Sequence, residues 1–172
     1  SMLPTVHTVD LRKELREGNR SMFSRKLKTL MEERLAKGEQ TILFLNRRGY
    51  AGFISCRSCG YVMKCPHCDV SLSEHRNGML TCHYCGYQER KPAKCPSCGS
   101  PYLMGFKAGT EQVEEAIHKA FPGARVLRMD GDTTRTKESY EQILSAFADE
   151  RADILVGTQM IVKGHDFPKV TL

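Results

Sequence analysis

No apolar run in the 172 residues approaches the roughly 20 needed to cross a bilayer as a helix. The chain does not open on the basic-then-apolar pattern of a secretory leader. Nor does it contain a G-x-x-x-x-G-K-[ST] phosphate loop. The nearest approach is GTQMIVKG over 157–164, which has Val162 where glycine is needed and Gly164 where Ser or Thr is needed. These residues alone therefore hold no complete nucleoside triphosphate site of that type. No cysteine stands alone either: all eight fall in C-x-x-C pairs. Such spacing in a chain without a leader leads us to expect a reducing cytoplasmic setting, cysteines that hold metal and not disulfides, and no membrane partner.

What is present is a globular composition, 40% hydrophobic and 27% charged, of a length for one domain or one domain carrying a small insert. The formal net charge is +6 with the thiols counted as neutral. Four thiolates on one Zn²⁺ leave −2, so two such sites would bring the total to about +2. Overall basicity is then a weak argument for nucleic acid, and local clusters matter more.

The four pairs are Cys56/Cys59, Cys65/Cys68, Cys82/Cys85 and Cys95/Cys98. A C-x-x-C turn lets two thiolates converge on one ion at about 2.3 Å, and two turns complete a closed tetrahedral site. Four pairs predict two zinc ions. Between the second and third pairs lies Asn77-Gly78, which suits a hairpin turn, with Val70, Leu72, Met79 and Leu80 available for its strands. Two C-x-x-C turns at the open end of one hairpin make a zinc ribbon. The expected grouping is therefore nested: an inner site of Cys65, Cys68, Cys82 and Cys85, and an outer site of Cys56, Cys59, Cys95 and Cys98. Sequential and crossed pairings are the alternatives. A four-thiolate site has no open position for water, so both zincs are expected to be structural. His67, His75 and His83 are read as exposed turn residues, since eight sulfurs already satisfy two ions.

On either side of this segment the pattern is strand and helix. Ser21 is a candidate cap for a helix carrying Met22, Phe23, Leu27, Leu30, Met31 and Leu35, with Gly38 at its end. The run 41–45 (TILFL) reads as a strand buried on both faces, ending in Asn46-Arg47-Arg48-Gly49-Tyr50. After the cysteines come a strand over 102–106, a helix capped by Thr110, a strand over 125–129 and a helix with Tyr140, Ile143, Leu144 and Phe147 inward. A strand over 153–156, the stretch 157–168 and a last strand from Lys169 follow. This alternation means crossover units: an α/β fold with a parallel sheet, helices on both faces, and the zinc module inserted after the first strand. Arginines at the carboxyl end of a buried strand sit where open α/β sheets place ligands, although most charge runs are solvated turns.

TILFLNRRGY, the four C-x-x-C pairs, GTEQ, MDGDTT and ILVGTQMIVKGHDFPKVTL together resemble the second motor lobe of the PriA family, the primosomal replication-restart DNA helicases of bacteria. The resemblance covers nearly the whole chain. It implies a superfamily 2 motor with two RecA-like lobes around ATP, of which this chain is part of lobe 2. Residues 1–54 would begin the lobe, 55–101 form the zinc insert, and 102–172 continue the lobe as far as the strand before motif VI. The likeness assigns Asn46, Arg47 and Arg48 to motif IV. It assigns Thr158, Gln159, Lys163, Gly164 and Asp166 to motif V. Asn46, Arg47, Arg48, Thr158, Gln159 and Lys163 are then expected to face DNA, with Thr158 on a phosphate. Gly164 and Asp166 are expected to face the nucleotide, with Asp166 at the ribose. ATP and Mg²⁺ would bind only in the parent protein, whose first lobe carries the phosphate loop, so this chain alone is expected not to hydrolyse ATP. The implied activity is ATP-dependent 3'-to-5' unwinding at stalled forks, with single-stranded and forked DNA and other primosome proteins as partners. A chaperone-type zinc module is the rival reading, but its C-x-x-C-x-G-x-G repeats are broken here at Cys59-Gly60-Tyr61 and Cys68-Asp69-Val70. A bare protein-interaction ribbon is the other rival, and it leaves 157–168 unexplained.

Overall fold

The computed structural model describes residues 3–45, 53–75, 77–105, 109–158 and 166–172. In chain order its elements are α1 (Leu11–Arg16), α2 (Arg25–Lys37), β1 (Thr41–Phe44), β2 (Ile54–Cys56), β3 (Ser73–Glu74), β4 (Met79–Thr81), β5 (Gln88–Arg90), β6 (Leu103–Gly105), α3 (Thr110–Ala120), β7 (Val126–Met129), α4 (Lys137–Ala148) and β8 (Ile154–Gly157). They form two compact units. One joins Ser1–Lys26 to Ala51–Lys107, and the other joins Leu27–Tyr50 to Ala108–Leu172.

The second unit is built on a parallel sheet of order β1-β8-β7. Thr41 lies level with Ile154 and Val126, and Phe44 with Gly157 and Met129. Parallel neighbours need crossovers, and α4 supplies the one between β7 and β8. On one face Leu144 and Phe147 of α4 pack with Met129, Leu155 and Ala152. On the other, Arg128 points to α3, where it pairs with Glu111 at 3.3 Å and Glu114 at 3.7 Å. Covered on both sides, the central strand β8 is apolar without alternation, and Ile154, Leu155 and Val156 are wholly buried. Each such side chain contributes about 1.5–3 kcal/mol of transfer free energy. Beyond β1 the terminal stretch continues the parallel pattern. Gln40 N–H donates to the Lys169 carbonyl at 2.7 Å, Thr171 N–H to Gln40 at 3.1 Å, and Ile42 N–H to Leu172 at 2.9 Å.

Helix ends depart from expectation where a side chain has a stronger claim elsewhere. Thr110 does not cap α3. Gly109 holds the cap position, and the Thr110 hydroxyl donates instead to the Asp130 carboxylate. Likewise α2 begins at Arg25 and not beside Ser21: the first rung of a helix capped there would join Arg25 N–H to the Ser21 carbonyl, but that carbonyl accepts from Arg57 and that N–H donates to Glu14. By contrast α4 starts on a complete capping box between Thr136 and Ser139.

The first unit contains two small antiparallel sheets, β2-β6 and β3-β4-β5. The strand expected over 102–106 as part of the parallel sheet is β6, which instead pairs antiparallel with β2 in this unit. The Asn77-Gly78 turn joins β3 to β4. Gly78 has φ +78°, and the Asn77 side chain accepts the Met79 N–H at 3.0 Å. A third strand, β5, then lies along β4. Ile54, Met63, Leu72, Leu80 and Leu103 form a core that also takes in Cys56, Cys65, Cys82 and Cys95.

Candidate metal centre

Each C-x-x-C closes the same turn. The carbonyl of the first cysteine accepts the N–H four residues on: Gly60 at 2.8 Å, Asp69 at 3.1 Å, Gly86 at 3.0 Å and Gly99 at 2.9 Å. The N–H of that cysteine donates to the carbonyl five residues on, at Tyr61, Val70, Tyr87 and Ser100. To make this double closure the fourth-following residue takes a positive φ: +82° at Gly60, +51° at Asp69, +77° at Gly86 and +75° at Gly99. Glycine meets that demand at no steric cost, and Asp is among the few other residues that tolerate it. The turn also aims backbone N–H groups at sulfur, as with Tyr61 to Cys59, His67 to Cys65 and Ser97 to Cys95, each at 3.4 Å.

The eight sulfurs gather into two sets of four, Cys56, Cys59, Cys95 and Cys98, and Cys65, Cys68, Cys82 and Cys85. Within each set all Sγ atoms lie within 4.8 Å of one another. Cys56 and Cys98 are 3.6 Å apart, Cys59 and Cys95 3.8 Å, and Cys65 and Cys85 3.6 Å. These separations are far beyond the roughly 2.05 Å of a disulfide. They match the edge of a tetrahedron with ~2.3 Å metal–sulfur bonds, which is ~3.8 Å. The first cysteine of each pair is buried in the core, whereas Cys85 and Cys98 are exposed.

Crowded thiols cannot all ionise together, and their protons distribute unevenly. At Cys56 burial works to raise the pKa, but the N–H groups of Cys59 and Ser58 outweigh it and draw the thiol down to about 7. The N–H groups of Cys85 and Tyr84 bring Cys82 to about 7 against burial. Cys68 is pushed up to about 12, first by its contact with the Cys85 thiol and then by burial. For Cys98 the Ser100 N–H pulls downward, yet burial and the other three thiols push it up to about 12. A soft dication resolves this conflict by displacing the remaining protons. Two closed all-sulfur sites could thus hold two metal ions, with the donor set and geometry of structural zinc.

The three histidines of the segment are exposed. His67 meets Tyr87 edge-on at 5.5 Å, and the His75 and His83 rings are 5.6 Å apart. Among the described residues no histidine joins either sulfur cluster.

Of the residues expected to face DNA or nucleotide, Thr158 follows β8 and is half-buried, and Asp166 is exposed. Asn46, Arg47, Arg48, Gln159, Lys163 and Gly164 lie outside the described residues. The segments that carry them leave adjacent strands: Phe44 is level with Gly157, and Leu45 N–H donates to the Gly157 carbonyl at 2.8 Å. At the end of β7, the strand next to β8, Asp130 is held by Thr110 and by Arg128 at 2.9 Å. Burial works to raise its pKa, but the Thr110 hydroxyl, the Thr133 N–H and Arg128 together hold it below the usual range.

Two features escaped the sequence reading. One is the residue after each second cysteine (Gly60, Asp69, Gly86, Gly99), whose recurrence was a legible turn signal. The other is Arg57, between Cys56 and Cys59, whose partners lie 36 to 38 residues earlier and leave no local trace.

The fold and site define a class: a parallel α/β unit whose chain is interrupted after its first strand by a module of two four-cysteine clusters. Residues 65–90, which hold the inner cluster, match the family described as the PriA DNA helicase Cys-rich region domain. The chain is 57% identical over 172 residues to the replication restart protein PriA of Bacillus subtilis, covering 99% of this chain and 21% of that protein. It is 53% identical over 175 residues to that of a Synechocystis species, with 99% and 21% covered, and 43% identical over 175 residues to that of Chlamydia muridarum, with 99% and 23% covered. Along 99% of its length the chain is similar to replication restart proteins of the PriA family, and it spans about a fifth of the length of these curated relatives.

Proposed function

We propose that the chain is the zinc-bearing part of the second, RecA-like lobe of an ATP-dependent 3'-to-5' DNA helicase that restarts replication at stalled forks. Its identity to PriA proteins along 99% of its length carries this reading. In this assignment residues 1–54 and 102–172 belong to the lobe and 55–101 to the inserted module. Cys56, Cys59, Cys95 and Cys98 ligate one zinc, and Cys65, Cys68, Cys82 and Cys85 the other. The metal supplies cross-links to a module too small to be held by its own core. In the parent protein the phosphate cradle and the Mg²⁺ site lie outside these residues. ATP closing two lobes moves the phosphate contacts of one relative to the other, and repeated cycles carry the motor along a single strand. Asn46, Arg47, Arg48, Thr158, Gln159 and Lys163 contact that strand through its backbone. Such contacts are blind to sequence, as restart at arbitrary forks requires. Gly164 and Asp166 face the nucleotide. The zinc module separates strands or docks other primosome proteins, in the cytoplasm.

The test is ATP hydrolysis and fork unwinding measured side by side in the full-length protein. Cys56→Ser or Cys95→Ser should spare DNA-stimulated hydrolysis and sharply reduce unwinding or partner loading. Asp166→Ala should reduce hydrolysis itself, by loosening a contact formed as the lobes close. Equal loss of both activities in both kinds of variant, with folding intact, would refute the division of labour.

A further inference from the structure

The segment before α2 is folded back on itself. Asp10 caps α1, accepting the Arg12 N–H at 2.9 Å. The buried Glu14 carboxylate takes both the Arg25 N–H and its guanidinium at 2.6 Å. Between them the loop at 18–23 is fixed by Asn19, whose side chain accepts from Ser21 N–H at 3.0 Å and donates to the Phe23 carbonyl at 2.9 Å. This arrangement turns three successive carbonyls in one direction, and one guanidinium answers all three. Arg57 donates to Arg20 at 2.7 Å and to Asn19 and Ser21 at 2.9 Å each.

Arg57 is not an ordinary surface residue. It is the second residue of the first C-x-x-C turn, directly after Cys56, and its own N–H donates to the Tyr102 carbonyl at 3.0 Å. The two turns of the outer cluster are tied at the same place by Ser58 and Ser100, whose hydroxyls are 2.7 Å apart. Arg20 lies over the Tyr102 ring at 5.5 Å. On the other side of the first turn, the Arg12 side chain packs so closely on Gly60 that an added Cβ would come within 3.4 Å of it. Arg57 within the first turn, Arg12 against Gly60 and Arg20 on Tyr102 thus link residues 12–21 to the turns of the outer cluster.

We propose that the outer cysteine cluster is a metal-dependent anchor for the N-terminal segment: with Cys56, Cys59, Cys95 and Cys98 closed on an ion, Arg57 is held where it clamps residues 19–21, and without the ion the segment is released. This rests on the reading of those cysteines as a metal site. The inner cluster, whose turns make no such contact with residues 3–26 among the bonds described, does not share the role. By linkage, docking of the segment must tighten the outer ion by the same factor that the ion tightens docking.

The experiment is amide hydrogen exchange over residues 11–23 on the metal-loaded chain, with metal content measured on each sample. Arg57→Ala keeps all eight cysteines and should keep two ions. Because it removes three hydrogen bonds to a charged group, exchange in 11–23 should rise about tenfold or more. One of its two ions should also pass to a competing chelator faster than in the unsubstituted chain. Cys98→Ser, which removes the exposed outer ligand, should lose one ion and give the same rise. Cys85→Ser, the matching exposed ligand of the inner cluster, should leave exchange in 11–23 within about twofold. Unchanged exchange in Arg57→Ala or Cys98→Ser overturns the anchor, as does an equal rise in Cys85→Ser. Fewer than two ions in the unsubstituted chain would sink the metal reading itself, a failure visible before any exchange is compared.

Discussion

Gly99 offers a graded test of the cysteine turns. It stands at φ +75° in the fourth turn, and a Cβ there would meet nothing within 4 Å. Substitution therefore acts through the backbone alone. Alanine in this left-handed region costs about 1 kcal/mol, and a β-branched side chain reaches about 2 kcal/mol. If the turn must hold this shape to present Cys95 and Cys98, the cost falls on metal binding. Gly99→Ala should weaken one site roughly fivefold and Gly99→Val roughly thirtyfold. Gly99→Asn should cost less than alanine, because Asp69 already occupies the equivalent place in the second turn at φ +51°. The assay is competition with a chelator at fixed pH, resolving the two ions by their release. The outer ion should respond more than the inner one, since Gly99 follows an outer ligand. A valine variant holding both ions within twofold of the parent would show that the shared turn geometry does not control the site.

Gln40 is buried, and its side-chain amide donates to the Phe147 and Ala152 carbonyls at 2.8 Å each. Gln40→Met keeps the shape but removes both donors, and should destabilise the sheet unit by about 2–3 kcal/mol in urea unfolding. The depressed pKa of Asp130 sets a pH dependence. A carboxyl whose folded pKa lies below its unfolded value adds stability that is present above the unfolded value and is lost as pH falls through the folded one. Acid unfolding of Asp130→Asn should therefore show a shallower loss of stability below about pH 4 than the parent.

The parallel sheet was legible because β8 is an unbroken apolar strand and because strand and helix alternate at crossover spacing around it. Two groups of four cysteines were legible because an Asn-Gly turn sits between the second and third pairs. Metal geometry then narrows what the remaining cysteines can do. Less visible were features set by distant partners. The start of α2 depends on Arg57, 36 residues beyond Ser21, and no local pattern reveals that competition. Thr110 carries an ordinary capping signal, which Asp130 overrides from the end of β7. Short α1 has too few apolar positions for a periodicity to be read, and only its Asp10 cap hints at it. The strand β5 is three residues of Gln, Glu and Arg, a composition that suggests loop until the edge of β4 is there to receive it.

The central claim is that eight cysteines at two closed sites organise this module around metal. X-ray absorption at the zinc edge, combined with elemental analysis of the purified chain, tests it most directly. The account predicts two zinc ions per chain, each with four sulfur neighbours at about 2.3 Å and no nitrogen. One ion per chain, or a nitrogen in the first shell from His67, His75 or His83, would contradict it.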